Sequence, residues 1–412
     1  MTAFQIISAL VGVVAVFGYL NHRLVRLPDA IGITATGVLV SLAAVVLGRI
    51  DPPLVQGVRQ VVANVDFGGI LLHGILGPVL FAGSLQISFK DIARDKGLIL
   101  TLATAGVAAA TVLVGVSFWM ATRLAGVGIP LLHSLLFGAL IAPTDPIAVL
   151  AILRQVGVPK RLETLIVAES LFNDGTGVVV FITILGLTAG GSATPAGTAA
   201  LFITQVVGGI AFGALVGYVG VLMIRGVNSY GIEILITVAM ATAGYAAAEA
   251  AQISAPIAVV MMGLMVGNKG RWAMGEETRS RLFVFWEVLD ELLNLLLFGL
   301  IGLEIITLDF SPRDTVIGAA AIVIVLAARL LSVAGPILFT ARLRALRRST
   351  LTIMTWGGLR GGISIALALS LPAIAGRERM VFATYAVVIF SILVQAPSLR
   401  AVVRRALDRR EV

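Results

Sequence analysis

Ala168-Glu169-Ser170-Leu171-Phe172-Asn173-Asp174-Gly175-Thr176-Gly177 sets two carboxylates in the middle of an apolar stretch, 162–188, that is long enough to cross a membrane. An acid at the centre of a bilayer costs roughly 2.5–3.5 kcal/mol on insertion scales, so acids kept there are usually functional. On a helix, Ser170, Asn173, Asp174 and Gly177 recur at i, i+3, i+4 and i+7 and share one face, which Glu169 borders. Gly175 and Gly177 carry no side chain, so a neighbouring backbone can approach that face closely.

Two further apolar stretches are interrupted. In Ala142-Pro143-Thr144-Asp145-Pro146 two prolines remove N–H donors and release carbonyl oxygens from helical pairing. Trp356-Gly357-Gly358-Leu359-Arg360-Gly361-Gly362 places an arginine among four glycines. At 1.5 Å per residue, Asp174, Asp145 and Arg360 lie roughly 14–20 Å from the starts of their spans, in the middle or inner half of a ~30 Å core. The carboxylates of Asp174 and Asp145, the Ser170 hydroxyl and freed main-chain oxygen near Thr144 make an all-oxygen set. Such a set suits a hard monovalent cation, Na+ or K+, and not Zn or Cu.

Composition agrees with a transport protein. The chain has 412 residues, of which 58% are hydrophobic and 13% charged, and a mean hydropathy of +1.04. Apolar runs recur throughout, which predicts an all-α polytopic membrane protein formed by a single transport domain over 1–412. A soluble regulatory domain has no place in that reading. The net charge of +8 belongs to short loops and not to a basic face, so nucleic acid is excluded as a partner. Absent cysteine excludes disulfides and thiolate metal sites, and nothing calls for a cofactor.

About thirteen spans are expected, at roughly 4–20, 30–48, 67–86, 97–121, 130–153, 162–188, 198–224, 231–250, 255–268, 282–304, 314–340, 351–371 and 380–402. The odd-numbered loops and the C-terminal tail hold 22 of the 30 Lys and Arg. The positive-inside rule then predicts an outside N-terminus and a cytoplasmic C-terminus in the plasma membrane. Leu80-Phe81-Ala82-Gly83 in span 3 echoes Leu297-Phe298-Gly299-Leu300 in span 10, and broken spans 5 and 12 are also seven apart. A shift of seven spans inverts orientation. The expectation is therefore two inverted repeats, roughly 1–190 and 231–402, with the site at the paired breaks.

The segments "APTDPIAV", "AESLFNDGTGVVVF", "LLFGLIGLEI" and "WGGLRGGISIALAL" resemble the electroneutral cation:proton antiporters of the NhaP/NHE-like family. The resemblance implies that Asp174 exchanges a proton for a cation, one for one. It implies that Asp145, Ser170 and the Thr144 main chain help to ligate the ion, and that Glu169 and Arg360 form an ion pair. Asn173 takes the place of an Asp found in electrogenic relatives. A homodimer in the lipid bilayer is implied as well. The chain departs from many archaeal members at Ala82, where they carry a Glu, and this bears on sodium preference.

Arg329, near the middle of span 11, matches Asp290 or Glu291 in depth, and a structural ion pair is expected there. The function expected is secondary-active electroneutral exchange of Na+ (or Li+) for H+ by alternating access. A K+/H+ antiporter would use the same residues. A Na+-coupled organic-anion symporter would need a second sodium site and an anion cavity, for which no residues are found. An enzyme is not expected: an intramembrane aspartyl protease would need a Gly-x-Gly-Asp segment that is missing.

Overall fold

The computed structural model describes residues 3–63, 65–188, 195–270, 274–339 and 347–408. Of the basic residues used above for orientation, Arg271, Arg342, Arg344, Arg409 and Arg410 lie outside these. The described residues form sixteen helices and no strand. They are α1 Ala3–Leu20, α2 Asp29–Ile50, α3 Pro52–Ala63, α4 Phe67–Leu85, α5 Phe89–Leu124, α6 Leu131–Leu140, α7 Ile147–Val156 and α8 Lys160–Thr188. There follow α9 Pro195–Arg225, α10 Tyr230–Ala250, α11 Ala255–Asn268, α12 Glu276–Glu304, α13 Pro312–Phe339, α14 Arg347–Trp356, α15 Gly362–Leu369 and α16 Arg377–Leu407.

Among the described residues, nine segments are long and apolar enough to cross a membrane by themselves. With the acid-bearing α12, the short α11 and the two broken pairs, α6–α7 and α14–α15, they make thirteen passes. The one helix not anticipated is α3. Its 12 residues are too short to span and follow α2 after a single residue, Asp51. Arg59 on α3 reaches across to Asp309 at 2.6 Å, which pins this helix to the loop after α12.

The breaks fall where the sequence removes helical hydrogen bonds. Between α6 and α7 the backbone at 142–146 is not helical; between α14 and α15 neither is 358–361. The two irregular segments cross. The Asp145 main-chain N–H donates to the Leu359 carbonyl at 2.8 Å, one of the bonds that replace those each helix gave up. Irregular backbone at membrane depth survives only when protein or a watered cavity satisfies it, and here the segments serve one another.

α8 runs beside this crossing and is buried along the 168–179 face. A Cβ on Gly177 would come within 2.7 Å of the Pro143 ring, and one on Gly175 within 2.6 Å of Ile257 Cγ1 on α11. Both glycines therefore let α8 touch its neighbours, backbone to side chain, at the level of the break.

Candidate functional site

The buried face of α8 presents Glu169, Ser170, Asn173 and Asp174 to the crossing point, all of them at most 5% exposed. Thr144 Oγ1 and Ser170 Oγ are 3.0 Å apart. Asn173 Nδ2 lies 3.2 Å from both the Ala142 carbonyl and Thr144 Oγ1, and 3.3 Å from Glu169 Oε1. Its amide thus ties the irregular segment after α6 to α8. The Thr144 main-chain N–H faces the Asp174 carboxylate, and Asp174 Oδ1 is left without a protein partner. Asp145 is half-buried beside it, so the charges acting on Asp174 are repulsive from Asp145 and Glu169 and attractive from Arg360. Thr144, Ser170, Asp145 and Asp174, the four expected ion-binding residues, are therefore brought together.

The Asp145 carboxylate rests against Gly361, which precedes the first turn of α15. A helix N-terminus carries partial positive charge, which favours an anion there. A Cβ on Gly361 would come within 2.7 Å of Asp145 Cβ. Gly361→Ala is expected to push the carboxylate off its position, and overpacking of this kind costs about 1–3 kcal/mol. Cation affinity should fall about tenfold or more, since ~1.4 kcal/mol is a factor of ten. A cation titration of transport checks this, and an unchanged half-saturation would remove Asp145 from the site.

Two of the expected ion pairs are wrong. Glu169 does not pair with Arg360; its partner is Arg329 on α13, bound through both carboxylate oxygens, Nη1 to Oε1 at 2.8 Å and Nη2 to Oε2 at 3.0 Å. Arg329 consequently does not pair with Asp290 or Glu291. Its guanidinium lies over Gly358, where a Cβ would collide with it, and Nε donates to the Met354 carbonyl at 3.3 Å. Arg360, 2% exposed, instead donates from Nη1 to the Ala142 carbonyl and, at 2.9 Å, to that of Pro143. These carbonyls follow the C-terminal end of α6, where the dipole is negative, so Arg360 bonds to a helix end while its charge still acts on Asp174.

A cavity of about 240 Å³ reaches this cluster. Thr144, Asp145 and Asp174 line it. So do Gln86, Ser88, Arg154, Lys160 and Glu163, all of which lie on the side of the basic loops 86–96 and 154–161. From α4 it is lined by Val79, Leu80 and Gly83 but not by Ala82, which is buried in the apolar cluster around α11. The α12 wall is formed by Asp290, Asn294 and Leu297. Asn294 escaped the sequence reading, although its i+4 spacing from Asp290 on an apolar helix was the available signal. Glu291 is exposed.

A family model described as sodium/hydrogen exchanger, transmembrane, matches residues 12–405. The Na(+)/H(+) antiporter NhaP of Pseudomonas aeruginosa is 44% identical over 408 residues, covering 97% of this chain and 96% of that protein. The Na(+)/H(+) antiporter NhaH of Halobacillus dabanensis is 31% identical over 390 residues, 93% of each. Among solved structures, the sodium proton antiporter MjNhaP1 of Methanocaldococcus jannaschii at pH 8 superimposes with a TM-score of 0.74 over 99% of this chain and 100% of that one. At 18% identity, this last likeness speaks to the fold.

Proposed function

The chain belongs to the sodium/hydrogen exchanger family, and from that membership we propose that it is a secondary-active antiporter exchanging one Na+ for one proton. The observation that carries the reading is the pair Asp174 and Asp145, set with Thr144 and Ser170 at the end of a single cavity beside two crossed helix breaks. Asp174 takes either a proton or a cation, because protonation removes the charge that holds the cation. Both carriers bring one positive charge to the same site, so a cycle of one for the other moves no net charge. The membrane potential, worth about 2.3 kcal/mol per charge per 100 mV, then does not drive the cycle.

The cavity mouth lies among basic loops, and the positive-inside rule supports a cytoplasmic opening. The C-terminus is then cytoplasmic and the N-terminus outside, in the plasma membrane. Alternating access follows if the bundle around α6–α7, α8, α14–α15 and α16 rocks against the rest, closing this cavity and opening one on the other side. The inverted halves 1–190 and 231–402 supply the symmetry for the two states, and a homodimer would provide the fixed frame.

Proteoliposomes containing an internal pH dye test the proposal. Addition of Na+ or Li+ is expected to drive proton movement at the same rate with the potential free or clamped to zero. A rate that changes with the clamp would overturn one-for-one exchange. A response to K+ alone would make the chain a potassium antiporter, and no response to any of the three would remove antiport.

A further inference from the structure

α12 carries an acid that the deep site leaves unused. Asp290 lies in the cavity wall with Asn294 one turn further on. Asn294 Nδ2 donates to the Asp290 carbonyl at 2.7 Å and to Asp290 Oδ1 at 3.0 Å. With the NH2 committed to two oxygens, the amide cannot be flipped, and its Oδ1 is the end left over. Asn294 is 3% exposed, and that Oδ1 has no partner. A buried acceptor without a donor costs about 1–3 kcal/mol, a cost that a water or a cation drawn from the cavity would relieve. The side-chain charges that act on Asp290 are those of Asp145 and Glu291, and both are negative.

The wall leads inward from here. Leu297, next along the same face, lies where a Cβ on Gly362 would strike it, and the preceding Gly361 abuts Asp145. Asp290 and Asn294 therefore stand along one continuous surface that ends at the deep carboxylates. We propose that Asp290 and the Asn294 amide oxygen form a second cation station in this cavity, which takes up Na+ or Li+ and hands it to Asp145 and Asp174. The hand-over rests on the proposed exchange; the station itself is defined by binding alone. Carboxylate and amide oxygens are the donors that hard cations prefer, and two waters or more can complete the shell in a cavity of this size.

Binding of radioactive Na+ to the purified full-length protein tests the station without any need for transport. Asp174→Asn is expected to lose the tighter component and keep a weaker one, and adding Asp290→Asn should abolish the remainder. Residual binding that ignores Asp290→Asn, or its complete absence in Asp174→Asn, would overturn the proposal. In proteoliposomes, Asp290→Asn alone is expected to raise the apparent KM for Na+ about five- to tenfold, the order expected for one unit charge in a watered site. Vmax should stay within about twofold of wild type, and Asp290→Glu should restore most of the affinity, which a bracing role for Asp290 would not produce.

Should Asp290→Asn fail to fold, Asn294→Leu removes the amide, its oxygen together with the NH2 that donates to Asp290, and leaves the Asp290 carboxylate in place. It should raise KM in the same direction, and a KM equal to wild type would count against the station. Wild-type protein that binds Na+ in two components but moves no protons would defeat the exchange reading and leave the station standing.

Discussion

Replacing Asp174 by Asn is expected to reduce Na+-driven proton movement to the level of protein-free liposomes. The carboxamide nearly matches the acid in shape, so the buried face of α8 keeps its packing. It neither ionises nor carries the exchanged proton. A unit charge pair at 4 Å, at an effective dielectric constant of about 20, is worth about 4 kcal/mol, roughly a thousandfold in affinity. The site would lose the cation and the proton together. Asp145→Asn removes a ligand but leaves the exchanging carboxylate, so measurable transport with a raised KM is expected there. In the wild type, protons and Na+ compete for Asp174, and the apparent KM for Na+ should rise as pH falls while Vmax holds. Transport by Asp174→Asn at even a few per cent of wild type would place the exchanging group elsewhere.

The second large effect belongs to a pair outside the proposed ion-binding set. Arg329→Ala leaves the Glu169 carboxylate, 1% exposed, without its bidentate partner. Breaking a buried ion pair from one side costs about 3–5 kcal/mol, because the remaining charge has lost its water and gained nothing. Thermal unfolding in detergent should show this as a loss of several degrees. The damage should spread to the site, since Glu169 also accepts from Asn173, and Asn173 holds Ala142 and Thr144 in place. The paired change Arg329→Met with Glu169→Leu removes both charges and should recover most of the stability but not the transport, because Asn173 still lacks its brace. Stability in Arg329→Ala equal to wild type would mean that Glu169 finds another cation, with Arg360 the nearest candidate.

The two parts of the site differ in how far the sequence reveals them. The α8 face was legible because helical period and bilayer depth are local properties. Ser170, Asn173 and Asp174 must share a side wherever that helix is packed, and an acid at such depth needs a reason. The breaks at Pro143 and Pro146 and at the Gly357–Gly362 run were legible for a similar cause: proline lacks the N–H, and glycine weakens the helix. The resemblance of the motifs to the exchanger family told the same story, and the match over residues 12–405 agrees with it. α3 was not legible, because only apolar runs long enough to span announce themselves as passes. A 12-residue helix with polar positions falls below that threshold.

The choice of partners was a different matter. Arg329 and Arg360 both lie deep in their spans, and Glu169, Asp290 and Glu291 lie where either could be placed by depth alone. Depth is one coordinate, and an ion pair needs three. By itself the sequence determined the helical passes, the positions of the breaks and the face of α8 that carries the carboxylates, because each depends only on near neighbours along the chain. Only the tertiary structure decided that the breaks cross, that Arg360 is spent on the carbonyls after α6, and that Arg329 reaches Glu169 over Gly358. It also decided that Asp290, released from the expected pairing, faces the cavity. Those outcomes turn on the angle at which separate helices pack, and no spacing within a single helix records it.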